Sequence, residues 1–420
     1  MQDFSAFGPP PRRRGSGSWL THSMVAVLAA GIAVAIVIGF FRPASGGSQP
    51  GIGAVPAPPA SASPLAGGQR DIVAKVSPGL VLINTTLQYN GEAAAGTGMV
   101  INANGLVLTN NHVIEGSTAI TATVPSTGKS YQARVVGYDV TGDIALIQLQ
   151  HASGLTTVPI GNSSSARAGD AVVALGNAKG QGKITAAAGH VTALNATITA
   201  SDEAGSTNSE TLHGMIQTNA DIQPGDSGGP LAGTAGVIGM DTAGSASGDM
   251  QGPAAGFAIP INTALSVARQ IAAGHASSVI TIGYPPFIGI FIGSGSSSDP
   301  RAQAQAQGQQ NGGGFGGLGG SGNVPVCYDS NTDLIVPASI APAGSGTLID
   351  GTICGSPAAA AGMTGGAVIT AVNGQPAGSP DNFASLMARF HPGDTVSFTW
   401  VSPSGRTTTS SLHLTAGPPQ

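Results

Sequence analysis

Gly225-Asp226-Ser227-Gly228-Gly229-Pro230 is the hexapeptide on which the reading of this chain turns. A serine hydroxyl that attacks a carbonyl needs a base to take its proton and donors aimed at the oxyanion that forms. A glycine two residues before the serine lets the backbone turn so that the amides of Gly225 and Ser227 face one pocket, a geometry that a side chain at position 225 would obstruct. The chain holds 65 glycines among 420 residues, about twice the usual share. An ordinary glycine-rich turn is therefore the competing reading, and residues elsewhere must decide.

Two other segments supply what a serine nucleophile lacks. Thr109-Asn110-Asn111-His112-Val113-Ile114 places a histidine directly after an apolar strand, where a proton acceptor can face a cleft. Thr141-Gly142-Asp143-Ile144-Ala145-Leu146 places a carboxylate at the start of a strand about thirty residues on, able to hold an imidazole tautomer from its far side. Taken singly, a histidine among eight means little and an Asp before a strand is usually a turn residue. Their order discriminates. In the nucleophile elbow of α/β-hydrolases the serine opens a helix and the acid and histidine follow it. Here Gly-Gly-Pro-Leu-Ala-Gly follows the serine, which cannot start a helix, and His112 and Asp143 precede it.

The surroundings are rich in short strands. From Asp71 to about Ser277, apolar runs are punctuated by Gly, Asn and Asp every eight to twelve residues, the pattern of an antiparallel sandwich or barrel. Gly98–Ile101, the turn Asn102-Ala103-Asn104-Gly105 and Leu106–Leu108 read as a hairpin; Ile144–Leu149, Ala171–Leu175 and Gly236–Met240 repeat the theme. One helix closes this region, with Thr263 as its cap, Leu265, Val267, Ala268 and Ile271 on one side, and Gly274 as its end.

His112, Asp143 and Ser227 in these contexts, with Gly256-Phe257-Ala258-Ile259-Pro260-Ile261 downstream, resemble the HtrA/DegP serine proteases, and within them the mycobacterial PepA-like type. Ile83-Asn84-Thr85-Thr86-Leu87 and Ile222-Gln223-Pro224-Gly225-Asp226-Ser227 carry the narrower likeness. The resemblance implies two antiparallel β-barrels with the catalytic site between them, a homotrimer, and cleavage of unfolded proteins outside the membrane. Two positions depart from the family pattern. Asp221 stands where a small apolar residue is usual and Asp241 where an Asn is usual, so a carboxylate in the specificity pocket would favour Arg or Lys before the scissile bond, against an HtrA-type preference for small aliphatics. The alternative is that Asp221 points into a loop. The family's long regulatory loop is missing, since Gln88–Ala95 joins its two strands directly.

Composition sets the compartment. Charged residues are 8% of the chain, against about 25% in ordinary globular proteins. Residues 1–42 hold four arginines and one acid, leaving 11 basic and 19 acidic residues beyond, which excludes a nucleic-acid partner. Met24–Phe41 runs eighteen residues without a charge, enough as a helix to cross most of a bilayer core. Arg12, Arg13 and Arg14 precede it and Arg42 alone follows, which orients the N-terminus to the cytoplasm. The expectation is a cytoplasmic tail over 1–18, a signal-anchor helix over 19–41 and a disordered linker over 42–69, so that the chain is a single-pass protein of the cell membrane. A cleaved signal peptide ending at Ala44-Ser45-Gly46 is the alternative; either way the body of the chain, a protease domain over 70–277 and a module over 280–416, is exported.

The C-terminal module resembles a PDZ domain, which adds a peptide as an extra strand and holds its terminal carboxylate on loop amides. Ile288-Gly289-Ile290 matches the carboxylate loop, Gly355–Met363 and Val368–Gly374 match the core, and a helix opening at Ser379-Pro380-Asp381 with Phe383, Leu386, Met387 and Phe390 on one face walls the groove. A Gly/Gln-rich insertion over 294–324 is too poor in apolar mass to fold and reads as a disordered excursion. Cys327 and Cys354 are too few for a disulfide scaffold or a four-cysteine zinc site, and outside the cytoplasm they pair. No metal or organic cofactor is implied. The fold expected is mainly β, a trypsin-like double barrel followed by an α+β PDZ domain. The function expected is a membrane-anchored serine endopeptidase, with a chaperone or peptide-binding protein carrying an inactive barrel as the alternative.

Overall fold

The computed structural model describes residues 65–87, 92–201, 209–242, 255–293, 296–310, 327–328, 337 and 339–419. The expected membrane helix at 19–41, with its tail and most of the linker, lies outside them. Among the described residues no helix is long and apolar enough to cross a membrane. The linker ends earlier than composition suggests, because Gly67–Val76 forms helix α1 and buries Ile72 and Val76. Small residues at its start do not prevent a helix whose later positions have a hydrophobic surface to cover.

Six strands make the first barrel: β1 (Leu80–Leu87), β2 (Glu92–Asn102), β3 (Leu106–Thr109), β4 (Ala119–Val124), β5 (Lys129–Asp139) and β6 (Ile144–Leu149). They run in the order β5-β4-β1-β2-β3-β6, and β6 returns to pair with β5. Alternation is plain in β5, where Tyr131, Ala133 and Val135 point inward and Ser130, Gln132 and Arg134 outward. The β2–β3 hairpin turns at Asn102–Gly105 as its sequence requires, with the Gly105 amide on the Asn102 carbonyl. A short helix, α2 (Asn111–Ile114), follows β3 directly.

The second barrel comprises β7 (Ala171–Gly176), β8 (Thr185–Ser201), β9 (Ser209–Thr218), β10 (Pro230–Gly233), β11 (Gly236–Thr242) and β12 (Gly256–Pro260), closed through β7 and β10. β12 runs straight into helix α3, Ile261–Ala272. This helix begins two residues before the expected cap: Thr263 is exposed inside it, and Ile261, Ala264, Ala268 and Ile271 form the buried stripe. Its first turn is capped from far away, with the Asn262 amide donating to Ser163 Oγ at 3.2 Å, so no local cap residue was there to be read.

One hydrophobic cluster joins the barrels. Leu80, Met99, Leu108 and Leu146 from the first meet Val173, Leu175, Val237, Met240 and Ile259 from the second, with α1 and α3 packed around them. Leu108, Leu146 and Leu175 are fully buried, and truncating one to alanine costs about 2–5 kcal/mol through lost transfer energy and the cavity left behind. This shared core sets the relative placement of the barrels.

Strand β13 (Ile280–Ile282), expected to open the C-terminal module, instead adds to the outer edge of β5. Tyr284 then packs against the first barrel, its hydroxyl accepting the Val135 amide at 3.3 Å. The module proper contains β14 (Pro286–Phe287), β15 (Ile290–Phe291), β16 (Thr347–Leu348), β17 (Gly351–Thr352), β18 (Val368–Val372), β19 (Gln375–Pro376), β20 (Thr395–Val401), β21 (Thr407–His413) and β22 (Thr415–Ala416). Its sheet runs β16-β18-β20-β21, and β15 pairs with β17. The run Gly346–Ile353 is divided into β16 and β17.

Part of the expected disordered insertion is helical: α4 spans Pro300–Gln310. Apolar mass is not what holds it. Asp299 Oδ1 accepts the Arg301 amide at 2.9 Å, and the buried Gln303 side chain accepts the Leu348 amide at 2.8 Å while donating to the Gly346 carbonyl at 2.7 Å. One glutamine thereby completes the open edge of β16 as a neighbouring strand would. Two further short helices follow, α5 (Pro357–Ala360) and α6 (Pro380–Met387). Ser379 caps α6 on the Asn382 amide, and Phe383, Leu386 and Met387 are buried.

Candidate active site

His112 sits in α2, a single turn that begins where β3 leaves the barrel. Its Nδ1 lies 3.0 Å from both carboxylate oxygens of Asp143, and its backbone amide donates to Asp143 Oδ1 at 3.1 Å. Asp143 occupies the tight entry to β6 with φ at 51°, a left-handed conformation that Asp tolerates better than most residues. Asn110 Nδ2 holds the Asp143 carbonyl at 2.9 Å, and Thr242 Oγ1, from the second barrel, donates to Asp143 Oδ2 at 2.9 Å. A carboxylate only accepts, so Nδ1 carries the imidazole proton and Nε2 is the basic nitrogen.

The loop Gln223–Gly229 is accounted for bond by bond. The Gln223 carbonyl accepts the Asp226 amide, that of Pro224 accepts Lys179 N, and that of Asp226 accepts Gly229 N. The Gly225 carbonyl accepts Thr97 Oγ1 at 2.8 Å and the Ser227 carbonyl accepts Thr97 N at 2.9 Å. The donors are nearly all committed as well: Gln223 N to Asp226 Oδ2, Asp226 N to Gln223 O and Gly228 N to Asp241 O. Pro224 has no N–H. Between Gln223 and Gly229, the amides of Gly225 and Ser227 alone have no acceptor among the described residues, and they flank the serine hydroxyl. All peptides here are trans, so tying a carbonyl to one side turns the following N–H to the other. The tie from Lys179 to Pro224 therefore directs the Gly225 N–H. Gly225 has φ of 95°, and a Cβ on it would collide with the Asn177 carbonyl.

The two halves converge. A Cβ added to Gly96 would stand 2.6 Å from Val113 Cγ1 and 3.3 Å from the Ser227 carbonyl oxygen, so the residue after His112 and the Ser227 backbone are separated by about one glycine. The site thus presents a serine hydroxyl, an imidazole held by a carboxylate, and two unengaged amides, the set required for acyl transfer.

The remaining expected residues divide. Asp221 is exposed and accepts the Gln223 side-chain amide, which is the loop-directed alternative; Asp241 is wholly buried in β11. The structure does not bring them together as one charged pocket. Burial pushes the Asp241 carboxyl well up, aided by Asp226, and neither of its oxygens has a hydrogen-bond partner among the described residues. Burial likewise pushes Asp226 up to about 6, against its bond from the Gln223 amide and with help from Asp221. In the C-terminal module Ile288 is buried beside Phe383 and Leu386, Gly289 has φ of 75°, and Ile290 pairs with Thr352. Cys327 and Cys354 form a disulfide 27 residues apart in sequence, a closure that stabilises by about 3–4 kcal/mol on the chain-entropy model. Among the described residues no group of three or more His, Cys, Asp or Glu side chains is placed to hold a metal.

Reading the sequence missed Thr97, Asn110 and Thr242. Asn110 lies within the histidine motif and Thr242 follows Asp241, but nothing local marks either as a partner of Asp143.

Residues 96–240 match the trypsin-like peptidase domain family. The chain is 33% identical to serine protease PepD of Mycobacterium tuberculosis over 97% of its own length and 80% of that protein's. It is 42% identical to the periplasmic pH-dependent serine endoprotease DegQ of Escherichia coli over 42% of this chain and 37% of DegQ. Among solved structures, HtrA-type protease AlgW with decapeptide aligns at 24% identity over 84% of this chain and 99% of AlgW, with a TM-score of 0.41.

Proposed function

Because the chain belongs to the HtrA/DegP family of trypsin-like serine proteases and is a serine endopeptidase, we propose that Ser227 is its nucleophile, His112 the general base and then acid, and Asp143 the residue that orients the imidazole. Ser227 Oγ attacks the scissile carbonyl while His112 Nε2 takes its proton. The negative charge that develops on the carbonyl oxygen is met by the N–H groups of Gly225 and Ser227, which form the oxyanion hole. His112 then passes the proton to the leaving amine, and water activated the same way releases the acyl group from Ser227. The observation that carries this reading is the hydrogen-bond accounting of Gln223–Gly229, which leaves two donors beside the hydroxyl.

The substrates are unfolded proteins outside the cytoplasm, reached by a protease tethered through residues 19–41. Support comes from the apolar run behind an arginine triplet and from a relative named periplasmic. The C-terminal module is a PDZ domain whose groove lies between Ile288-Gly289-Ile290 and α6, a reading supported by their common core. The family resemblance supports a homotrimer. Casein digestion by wild type and by Ser227→Ala tests the enzymatic core. Loss of activity by about three orders of magnitude or more is expected, whereas equal rates defeat the assignment of Ser227 and leave the peptide-binding alternative.

A further inference from the structure

Thr97 lies in β2, in the first barrel, and is fully buried. Its contacts are with the second barrel. The backbone amide donates to the Ser227 carbonyl at 2.9 Å. The side-chain hydroxyl donates to the Gly225 carbonyl at 2.8 Å and accepts the Asn177 amide at 2.9 Å. The Thr97 carbonyl in turn accepts Thr109 Oγ1 at 2.7 Å, from the end of the strand that leads to His112. The two residues whose carbonyls Thr97 takes are the same two whose amides are left open beside the hydroxyl.

We propose that Thr97 is a positioning residue for the oxyanion donors, fixing Gly225 and Ser227 from the opposite barrel through one amide and one hydroxyl. This rests on the reading of Ser227 as nucleophile. Gly225 and Gly228 both have positive φ, at 95° and 82°, and glycine has the broadest choice of backbone conformations of any residue. Such a loop needs an external clamp to keep its amides aimed. The hydroxyl is suited to that task, because its donor and acceptor capacities are both used along the line from Asn177 N through Thr97 Oγ1 to Gly225 O. Removing it strands the half-buried Gly225 carbonyl and the buried Asn177 amide at once, and the loop then gains by turning one of them elsewhere. The Thr97 main-chain bond to Ser227 survives any side-chain substitution, so what the hydroxyl controls is the far side of Gly225, whose N–H is directed by the Pro224 carbonyl on Lys179 N and whose own carbonyl is held by Thr97 Oγ1.

The test compares wild type with Thr97→Ser, Thr97→Cys, Thr97→Val and Ser227→Ala on a peptide substrate, reading kcat and KM separately. Thr85→Val, a buried threonine in the neighbouring strand β1, controls for generic loss of a hydroxyl in the same sheet. Losing a whole oxyanion donor costs about 100–1,000-fold in kcat, so partial loss of aim in Thr97→Val is expected to lower kcat about 10–100-fold, with KM within about threefold. Thr97→Ser retains the hydroxyl and is expected within about threefold of wild type, with Thr97→Cys between the two. Affinity for a peptide boronic acid, whose tetrahedral adduct places an oxygen in the hole, falls in parallel with kcat/KM. Wild-type kcat in Thr97→Val, a change confined to KM, or an equal loss in Thr85→Val overturns the proposal. Should Thr97→Val fail to fold, equal kcat for the Ser and Cys variants overturns it, and a graded loss supports it. Activity that persists in Ser227→Ala defeats the nucleophile assignment instead, a separate outcome.

Discussion

Asp143 and Asp241 are equally hidden from water, 2% and 0% exposed, yet the regions around them are built on opposite principles. Asp143, in the first barrel, receives donors from His112 Nδ1, His112 N and Thr242 Oγ1. Among the described residues Asp241, one residue before that same threonine, receives none, and its neighbour Asp226 also keeps one oxygen without a partner. Burial removes water from both; in one case the fold replaces it with donors and in the other it does not. The contrast teaches that depth alone does not distinguish a carboxylate that is held in place. What distinguishes it is the number and direction of donors aimed at it from other elements.

Breaking the donor-rich side has the largest expected consequence. Asp143→Asn keeps the shape but offers an amide where His112 Nδ1–H needs an acceptor, so kcat falls about ten-thousand-fold while the fold persists. Peptide hydrolysis with parallel melting curves checks this, and retained activity would remove Asp143 from the mechanism.

On the donor-poor side the effect falls on stability and follows pH. Asp226 ionises near 6 in the folded chain, against 3.8 for an unperturbed Asp. A raised carboxyl favours folding while protonated, so its contribution is fully present below about pH 4 and is lost as pH rises through about 6. Asp226→Asn is therefore expected to match wild type near pH 4 and to exceed it by about 3 kcal/mol above pH 7. Denaturant unfolding at the two pH values reads this out; an Asn variant less stable at pH 7 would mean that the bond from the Gln223 amide to Oδ2 outweighs the burial of the charge. Asp241→Asn extends the comparison. The Asp241 carboxyl is also pushed well up by burial, so this variant is expected to reduce further the loss of stability as pH rises.

The smallest effect sharpens the link between the regions. Thr242→Val removes one of three donors from Asp143, a bond worth about 1 kcal/mol net, and is expected to lower kcat by roughly fivefold with little change in KM. An effect as large as that of Asp143→Asn would make Thr242, not His112, the principal partner of the carboxylate.

Much of this was legible in the chain itself. The strand pattern, the β2–β3 hairpin, the order of His112, Asp143 and Ser227 and the cap of α6 at Ser379 all rest on neighbours within a few residues. The failures share a cause. Helix α3 starts two residues early because Ser163 caps it from a distance. Helix α4 forms in a segment of poor apolar content because Gln303 completes the β16 edge. Thr97 resembled any other strand residue.

The amino-acid order alone determined which chemistry is present: a serine between glycines, a histidine after a strand, an acid before the next, in trypsin-like succession. Local propensity and side-chain type suffice for that, since they act over a few bonds. Only the tertiary structure decided which groups meet. The Thr97 hydroxyl reaches Gly225 across 128 positions and Thr242 reaches Asp143 across 99. A hydrogen bond depends on distance and direction in space, and these exist only once the shared core has brought the two barrels together.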